Sequence, residues 1–282
     1  MKTAIYYKTK RATVNLLIHL FLLTVAVTCI FPLLWMVSSS LKTQEQIFRD
    51  TSLIPREFHF ENYYLAWKEG GFGRYFLNSI AYTVLVVIGI VVIASLAAYA
   101  FSRLRFPGRN ILFVMFMAAM MIPIPGSFVP LYVLLNKLHL RDTSFGYILC
   151  MINVGLSTSI FLLKTFFDKM PKELEDAARI DGCSKLGIWW NVVLPLSGPV
   201  LAVVVVFNAL NVWNEYVLAL IIFDNKALMP LQVALMTFQG EFITRYPLLM
   251  AGLTITALPI IIAYLLMQKY IVKGVTQGAI VG

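Results

Sequence analysis

The sequence predicts an all-α integral membrane protein: six transmembrane helices with a polar helix-turn-helix loop on the cytoplasmic side. Hydrophobic residues make up 60% of the 282 positions and charged residues 13%, with a mean hydropathy of +0.80. Soluble domains average about 25% charged residues, so a soluble core has no use for this much apolar surface. Six apolar runs reach the ~20 residues a helix needs to cross hydrocarbon. The runs are continuous rather than alternating, which excludes barrel strands, and backbone groups in lipid must then be paired within each segment.

The first span is Val14–Ser38. Lys2, Lys8, Lys10 and Arg11 precede it. The run is too long for a signal peptide and no small-residue cleavage site ends it, so an uncleaved span is expected. The second and third spans are Leu77–Phe101 and Ile111–Leu135, joined by a short loop with Arg103, Arg105 and Arg109 and no acid. Pro123, Pro125, Gly126 and Pro130 break the third. Such breaks survive at membrane depth where protein or a water-filled cavity surrounds them, so this segment either faces a path or is a short span with a bent external turn. The fourth span is Phe145–Phe167, the fifth Pro199–Phe223 and the sixth Leu248–Ile271, followed by a Gly-rich tail, Lys273–Gly282. The basic short loops fall on one side and the balanced loop Leu41–Tyr75 on the other. Both termini and the polar loop Asp168–Pro195 are therefore expected in the cytoplasm. The chain reads as a single transmembrane domain over residues 1–282, with no separate soluble domain.

Several classes are excluded or weakened. The net charge of +9 is spread over short loops without a basic face, which fits a positive-inside membrane protein and not nucleic-acid binding. Cys29, Cys150 and Cys183 have no disulfide or metal spacing. His19, His59 and His139 are far apart, so no metal site is expected. There is no Gly-x-x-x-x-Gly-Lys-Ser/Thr phosphate loop, so no ATP chemistry is expected in this chain. An ion-coupled secondary transporter is the rival reading. It is weakened because Glu215 is the only acidic residue within a span and no internal repeat is visible. A non-transporting scaffold would need no polar face in the fifth span.

The polar loop has its own local logic. Pro171 suits the first turn of a helix, and Glu173, Glu175 and Asp176 favour its dipole. Gly182 can take the left-handed conformation that ends it, and Ser184 can cap a second helix toward Pro195. Leu174, Ala177, Ala178 and Asp181 share a face, and the acid-rich start argues against a helix lying on lipid headgroups, which favours Lys and Arg. Asp176-Ala177-Ala178, then Gly182, then Val192, Leu194 and Pro195 resemble the EAA loop of ABC importer permeases: Glu-Ala-Ala, three residues, Gly, nine residues, Ile-x-Leu-Pro. Asp176 and Val192 stand where Glu and Ile are usual. The wording around them is similar to the carbohydrate branch and its maltose-type second permeases. Ile122-Pro123 with Pro130-Leu131-Tyr132, Trp213-Asn214-Glu215-Tyr216 and the Gly-rich end extend the resemblance along most of the chain.

The resemblance implies one transmembrane subunit of an ATP-driven importer of a sugar or sugar derivative in the cytoplasmic membrane. Its partners would be a second permease, two ATPase subunits that carry ATP and Mg, and an extracytoplasmic solute-binding protein. It implies an ATPase-coupling role for Leu174, Glu175, Asp176, Ala177, Ala178, Asp181 and Gly182. In the fifth span Asn208, Asn211 and Glu215 share a face, with Trp213 and Asn214 beside them. Polar groups in a span face the bundle interior or a cavity, or tie helices together; both remain open here. By the same resemblance, Phe238, Gln239, Gly240, Glu241 and Phe242 in the external loop Asp224–Pro247 contact the binding protein, against the alternative of a short re-entrant cover. The tail Lys273–Gly282 either reaches an ATPase interface or is a frayed end.

Overall fold

The computed structural model describes residues 2–120, 127–240 and 244–279. The chain divides into two compact units, residues 1–70 with 237–255 and residues 71–236 with 256–282.

In the first unit, α1 (Lys2–Ser40) contains an apolar stretch, Val14–Ser40, whose most hydrophobic window buries none of its residues within the chain. Burial begins at its end with Ser38, Ser39 and Ser40. There the chain turns around Lys42, whose ammonium donates to the carbonyls of Asp50 (2.9 Å) and Ser52 (2.5 Å) and lies over the Trp35 ring. A buried ammonium needs such partners. Helix α2 (Gln44–Arg49) opens with a capping box: the Thr43 hydroxyl accepts from Gln46 N–H while the Gln46 amide oxygen accepts from Thr43 N–H. Helix α3 (Glu61–Glu69) is tied back by Asn62, which donates to the Ser40 and Lys42 carbonyls. Gln44 holds the other segment of the unit, donating to Thr244 O and accepting from Tyr246 N–H, and Arg245 pairs with Glu69.

The second unit is built on α4 (Phe72–Arg103), paired along its length with α7 (Ser144–Lys169). Small residues let the two approach: a Cβ on Gly89 would lie 2.5 Å from Ile152 Cδ1. Between them in sequence come α5 (Arg109–Ala119) and α6 (Phe128–Lys137). The expected third span is thus two short apolar helices. Pro123, Pro125 and Gly126 lie outside the described residues, and Pro130 sits in the first turn of α6, where a missing N–H costs nothing.

After α7 come α8 (Glu173–Ile180) and α9 (Lys185–Ile188). A π-helical turn, Trp189–Val193, runs on into α10 (Leu194–Leu196). The chain then bends by 81° into α11 (Gly198–Asn214). Pro199 cannot donate a helical hydrogen bond, and Ser197 at the corner spends its hydroxyl on Val193 O (2.5 Å). The expected fifth span is not continuous either. It stops at Asn214 and resumes as α12 (Val217–Ile222). Helix α13 (Leu231–Ala234) follows, and α14 (Tyr246–Ala279) closes the chain. Among the described residues, four helices are long and apolar enough to cross a membrane: 14–40, 72–103, 144–169 and 246–268.

Candidate functional site

The polar loop folds as its local signals dictate. Gly182 has φ +83°, the left-handed turn, and a Cβ there would meet nothing within 4 Å. Ser184 Oγ accepts from Gly187 N–H (3.2 Å) at the start of α9. Asp176 pairs with Arg179 one turn on, at 2.7 Å.

The orientation of α8 differs from the face drawn from the sequence. Glu175 and Ala178 point into the protein; Leu174, Asp176, Ala177 and Asp181 are exposed. Glu175 is 5% exposed, and its carboxylate lies 2.5 Å from Nε of Arg103, the last residue of α4. The same guanidinium donates to Met170 O (2.7 Å). One turn of α4 thus holds both the residue that ends α7 and the first turn of α8. Ser102 and Lys164 both donate to Asp168 at 2.6 Å, closing the same corner from α7. A buried pair of this kind is stabilising only as a pair; removing one partner strands the other charge, at about 3–5 kcal/mol. Glu175 and Ala178 are therefore buried within this chain and anchor α8 from its inner face.

The outward face carries a group the sequence reading missed. Ile180 is 88% exposed, and Leu186 and Trp190 on the following helix are exposed too. With Leu174, also exposed, they are the apolar rim of this loop. This eight-residue helix is therefore buried on one face, at Glu175 and Ala178, and leaves large apolar side chains exposed on the other. The apolar side chain at position 180, three residues beyond Ala177, was the signal available.

The polar residues of the fifth segment separate into two groups. Asn208 is 2% exposed; it donates to Ser159 Oγ on α7 (2.9 Å) and to Val204 O (2.8 Å). A Cβ on Gly155 would come within 2.2 Å of its amide oxygen. Asn208 is a tie between helices and does not share an open face with Asn211. Trp213 is also buried, donating from Nε1 to Thr256 O (3.0 Å) and meeting Phe76 edge-on. It lines an apolar cavity of about 210 Å³ with residues of α4 and α14, among them Ile80, Thr83, Pro259 and Tyr264. Asn211 and Asn214 are exposed, beside exposed Phe207. Glu215 sits in the break between α11 and α12, where its carboxylate accepts the Leu218 N–H and caps α12.

The segment 227–231 is fastened to the start of α4. Asn78 donates to Ala227 O (2.9 Å) and Met229 O (3.0 Å), Tyr82 donates to Leu228 O (2.7 Å), and Ser79 Oγ accepts from Leu231 N–H (2.7 Å). Farther on, Gln239 and Thr244 form a single antiparallel bridge. Phe238 is 1% exposed, so it is an anchor at the base of this turn and not a contact at its tip; Gln239 and Gly240 are exposed. Glu241 and Phe242 lie outside the described residues, as do positions 280–282 of the tail.

Residues 90–277 match the model of the binding-protein-dependent transport system inner membrane component. The chain belongs to that family. Members of known name resemble it over nearly its full length. It is 37% identical over 265 residues to the probable ABC transporter permease protein YurM of Bacillus subtilis, covering 94% of this chain and 87% of that one. It is 31% identical over 262 residues to the diacetylchitobiose uptake system permease protein NgcG of Streptomyces coelicolor, covering 92% and 87%. Among solved structures, a bacterial ABC transporter involved in import of the acidic polysaccharide alginate has a chain that superposes with a TM-score of 0.80 at 25% identity, over 91% of this chain and 96% of that one. The nearly all-helical architecture is therefore that of an ABC importer permease, an inner-membrane transport component. The outer face of the polar loop and the side chains of Asn211 and Asn214 on α11 are exposed.

Proposed function

We propose that this permease is one transmembrane subunit of an ATP-driven importer that carries a sugar, oligosaccharide or sugar derivative across the cytoplasmic membrane by alternating access. The observation that carries the reading is the two-sided loop 168–195. Arg103 locks its inner face, and its outer face presents Leu174, Ala177, Ile180, Asp181 and the Gly182 turn. That outer face is the seat for an ATPase subunit. ATP and Mg belong to two such subunits; a second permease and an extracytoplasmic binding protein complete the assembly. Sugar as the cargo is supported by relatives named for diacetylchitobiose, arabinooligosaccharides and trehalose. It is also supported by exposed amides beside an aromatic ring at Asn211, Asn214 and Phe207, a surface suited to hydroxyls and C–H patches.

In this reading the six spans are α1, α4, the α5–α6 pair, α7, the α11–α12 pair and α14, with both termini and the loop 168–195 in the cytoplasm. The turn at 239–242 faces the binding protein, and the tail from Lys273 approaches the ATPases. Glu215 is committed to capping α12, which removes the one in-span acid an ion-coupled carrier could use.

Gly182→Val tests the reading. A β-branched residue at φ +83° carries backbone strain of about 1–2 kcal/mol or more, with no steric clash to confuse the result. The variant is expected to insert and assemble with its partner permease, and to lose ATPase association or ATP-dependent uptake in proteoliposomes. Unchanged association and unchanged uptake sink the coupling assignment.

A further inference from the structure

Helix α4 is fastened at both ends, by different chemistry, to the two loops with which an importer permease would meet its partners. At its N-terminal end, Asn78, Ser79 and Tyr82 hold the backbone of the segment 227–231 through four hydrogen bonds of 2.7–3.0 Å. These bonds go to main-chain carbonyls and an N–H, so they fix the path of that loop whatever its side chains are. Ser79 and Tyr82 are buried, and Tyr82 also meets Ser144 Oγ of α7 at 3.0 Å. At the C-terminal end, Arg103 holds Glu175 of α8 at 2.5 Å and Met170 O at 2.7 Å, with both charged side chains more than nine-tenths buried. The helix is unbroken over its 32 residues and contains no proline; from Asn78 to Arg103 it spans about 38 Å at 1.5 Å per residue.

We propose that α4 is a transmembrane strut: Asn78, Ser79 and Tyr82 at one end and Arg103 at the other are positioning residues that link the external segment 227–231 mechanically to the docking helix α8. The proposal rests on the importer reading above. The alternative routes for such a signal are weaker in this unit. The α11 side of the loop passes through an 81° bend, and α11 itself is interrupted at Glu215. Helix α7 is continuous, but α8 leaves it through the non-helical residues Met170 and Pro171. A rigid element held at both ends is the kind of structure that can bias two distant sites together, and the evidence it needs is energetic coupling between its ends.

The test is a double-variant cycle on the assembled complex in proteoliposomes, reading the stimulation of ATP hydrolysis by loaded binding protein. Tyr82→Phe removes the hydroxyl that holds the external segment and keeps the ring; Arg103→Lys keeps the charge and loses the fork that grips α8. Each single variant is expected to lower stimulation about tenfold, within the range of measured coupling energies, while hydrolysis without binding protein stays at the unaltered level. The double variant is expected to lose no more than the worse single variant, because a strut released at one end transmits nothing from the other. Losses that multiply to about a hundredfold would mean two independent local effects and overturn the strut. So would full stimulation in both single variants. Asn78→Ala with Glu175→Gln repeats the cycle with different atoms if either first variant fails to assemble. If the unaltered permease neither binds an ATPase nor shows stimulation, the importer reading itself has failed, and that outcome is separate from every arm of the cycle.

Discussion

The loop 168–195 and the helix α11 that follows it divide their polar and apolar residues in opposite ways. In α8 a carboxylate points inward and Ile180 points out. In α11 one asparagine is sealed between helices while Asn211 and Asn214 remain open. The first arrangement is costly in water and the second in lipid. Neither is the lowest-energy surface for an isolated chain in its own surroundings. The difference shows that polar groups which find partners inside the chain secure its internal geometry, whereas residues of either kind left outside contribute nothing to that packing.

The comparison breaks most readily at Glu175. Glu175→Ala leaves the Arg103 guanidinium buried and unpaired, and is expected to destabilise the second unit by about 3–5 kcal/mol, measured as a lowered denaturation midpoint of the purified permease. A midpoint unchanged from the unaltered protein would mean the carboxylate is not an internal anchor. Asn208→Ala is expected to cost less, about 1–3 kcal/mol, because it removes the buried donor to Ser159 Oγ and opens a small void beside Gly155, while the Ser159 hydroxyl keeps its bond to Gly155 O. In the same variant, substrate affinity in transport assays should not change, since Asn208 reaches no open face. A selective rise in KM without loss of stability would return Asn208 to the transport path. Ile180→Ser sharpens the contrast from the other side. A fully exposed position should move permease stability by less than about 0.5 kcal/mol, yet ATPase co-purification should fall. If the ATPase is retained in full, the apolar rim is not part of the seat.

What was legible in the sequence is what neighbouring residues decide. Gly182 and Ser184 specify a left-handed turn and a cap within a few positions, and the loop follows them; Pro171, expected in the first helical turn, instead stands just before α8, whose N-cap is Lys172. Apolar length alone marked the regions that became α1, α4, α7 and α14. What was not legible depends on distant partners. The inward rotation of Glu175 is set by Arg103, 72 positions earlier, and the burial of Asn208 by Gly155 and Ser159 on another helix. Helical periodicity put Ala178 with Leu174 and Ala177, and only the packed structure separates them. The interruption at Glu215 carries no Gly or Pro to announce it; a side-chain cap on Leu218 N–H makes it possible. Phe238 was grouped with a contact loop because aromatic residues suit both contact and anchorage, and burial alone distinguishes the two.

Helix α1 buries no residue of the most hydrophobic window of Val14–Ser40 within its own unit. In water such a surface would drive aggregation, but acyl chains solvate leucine and phenylalanine as well as a neighbouring helix does. Membrane insertion and complex assembly are thereby uncoupled for this segment. A newly made subunit can reside in the bilayer without its partners, because the cost of waiting is met by lipid, and the order in which the operating complex is put together need not follow the order in which its chains are synthesised.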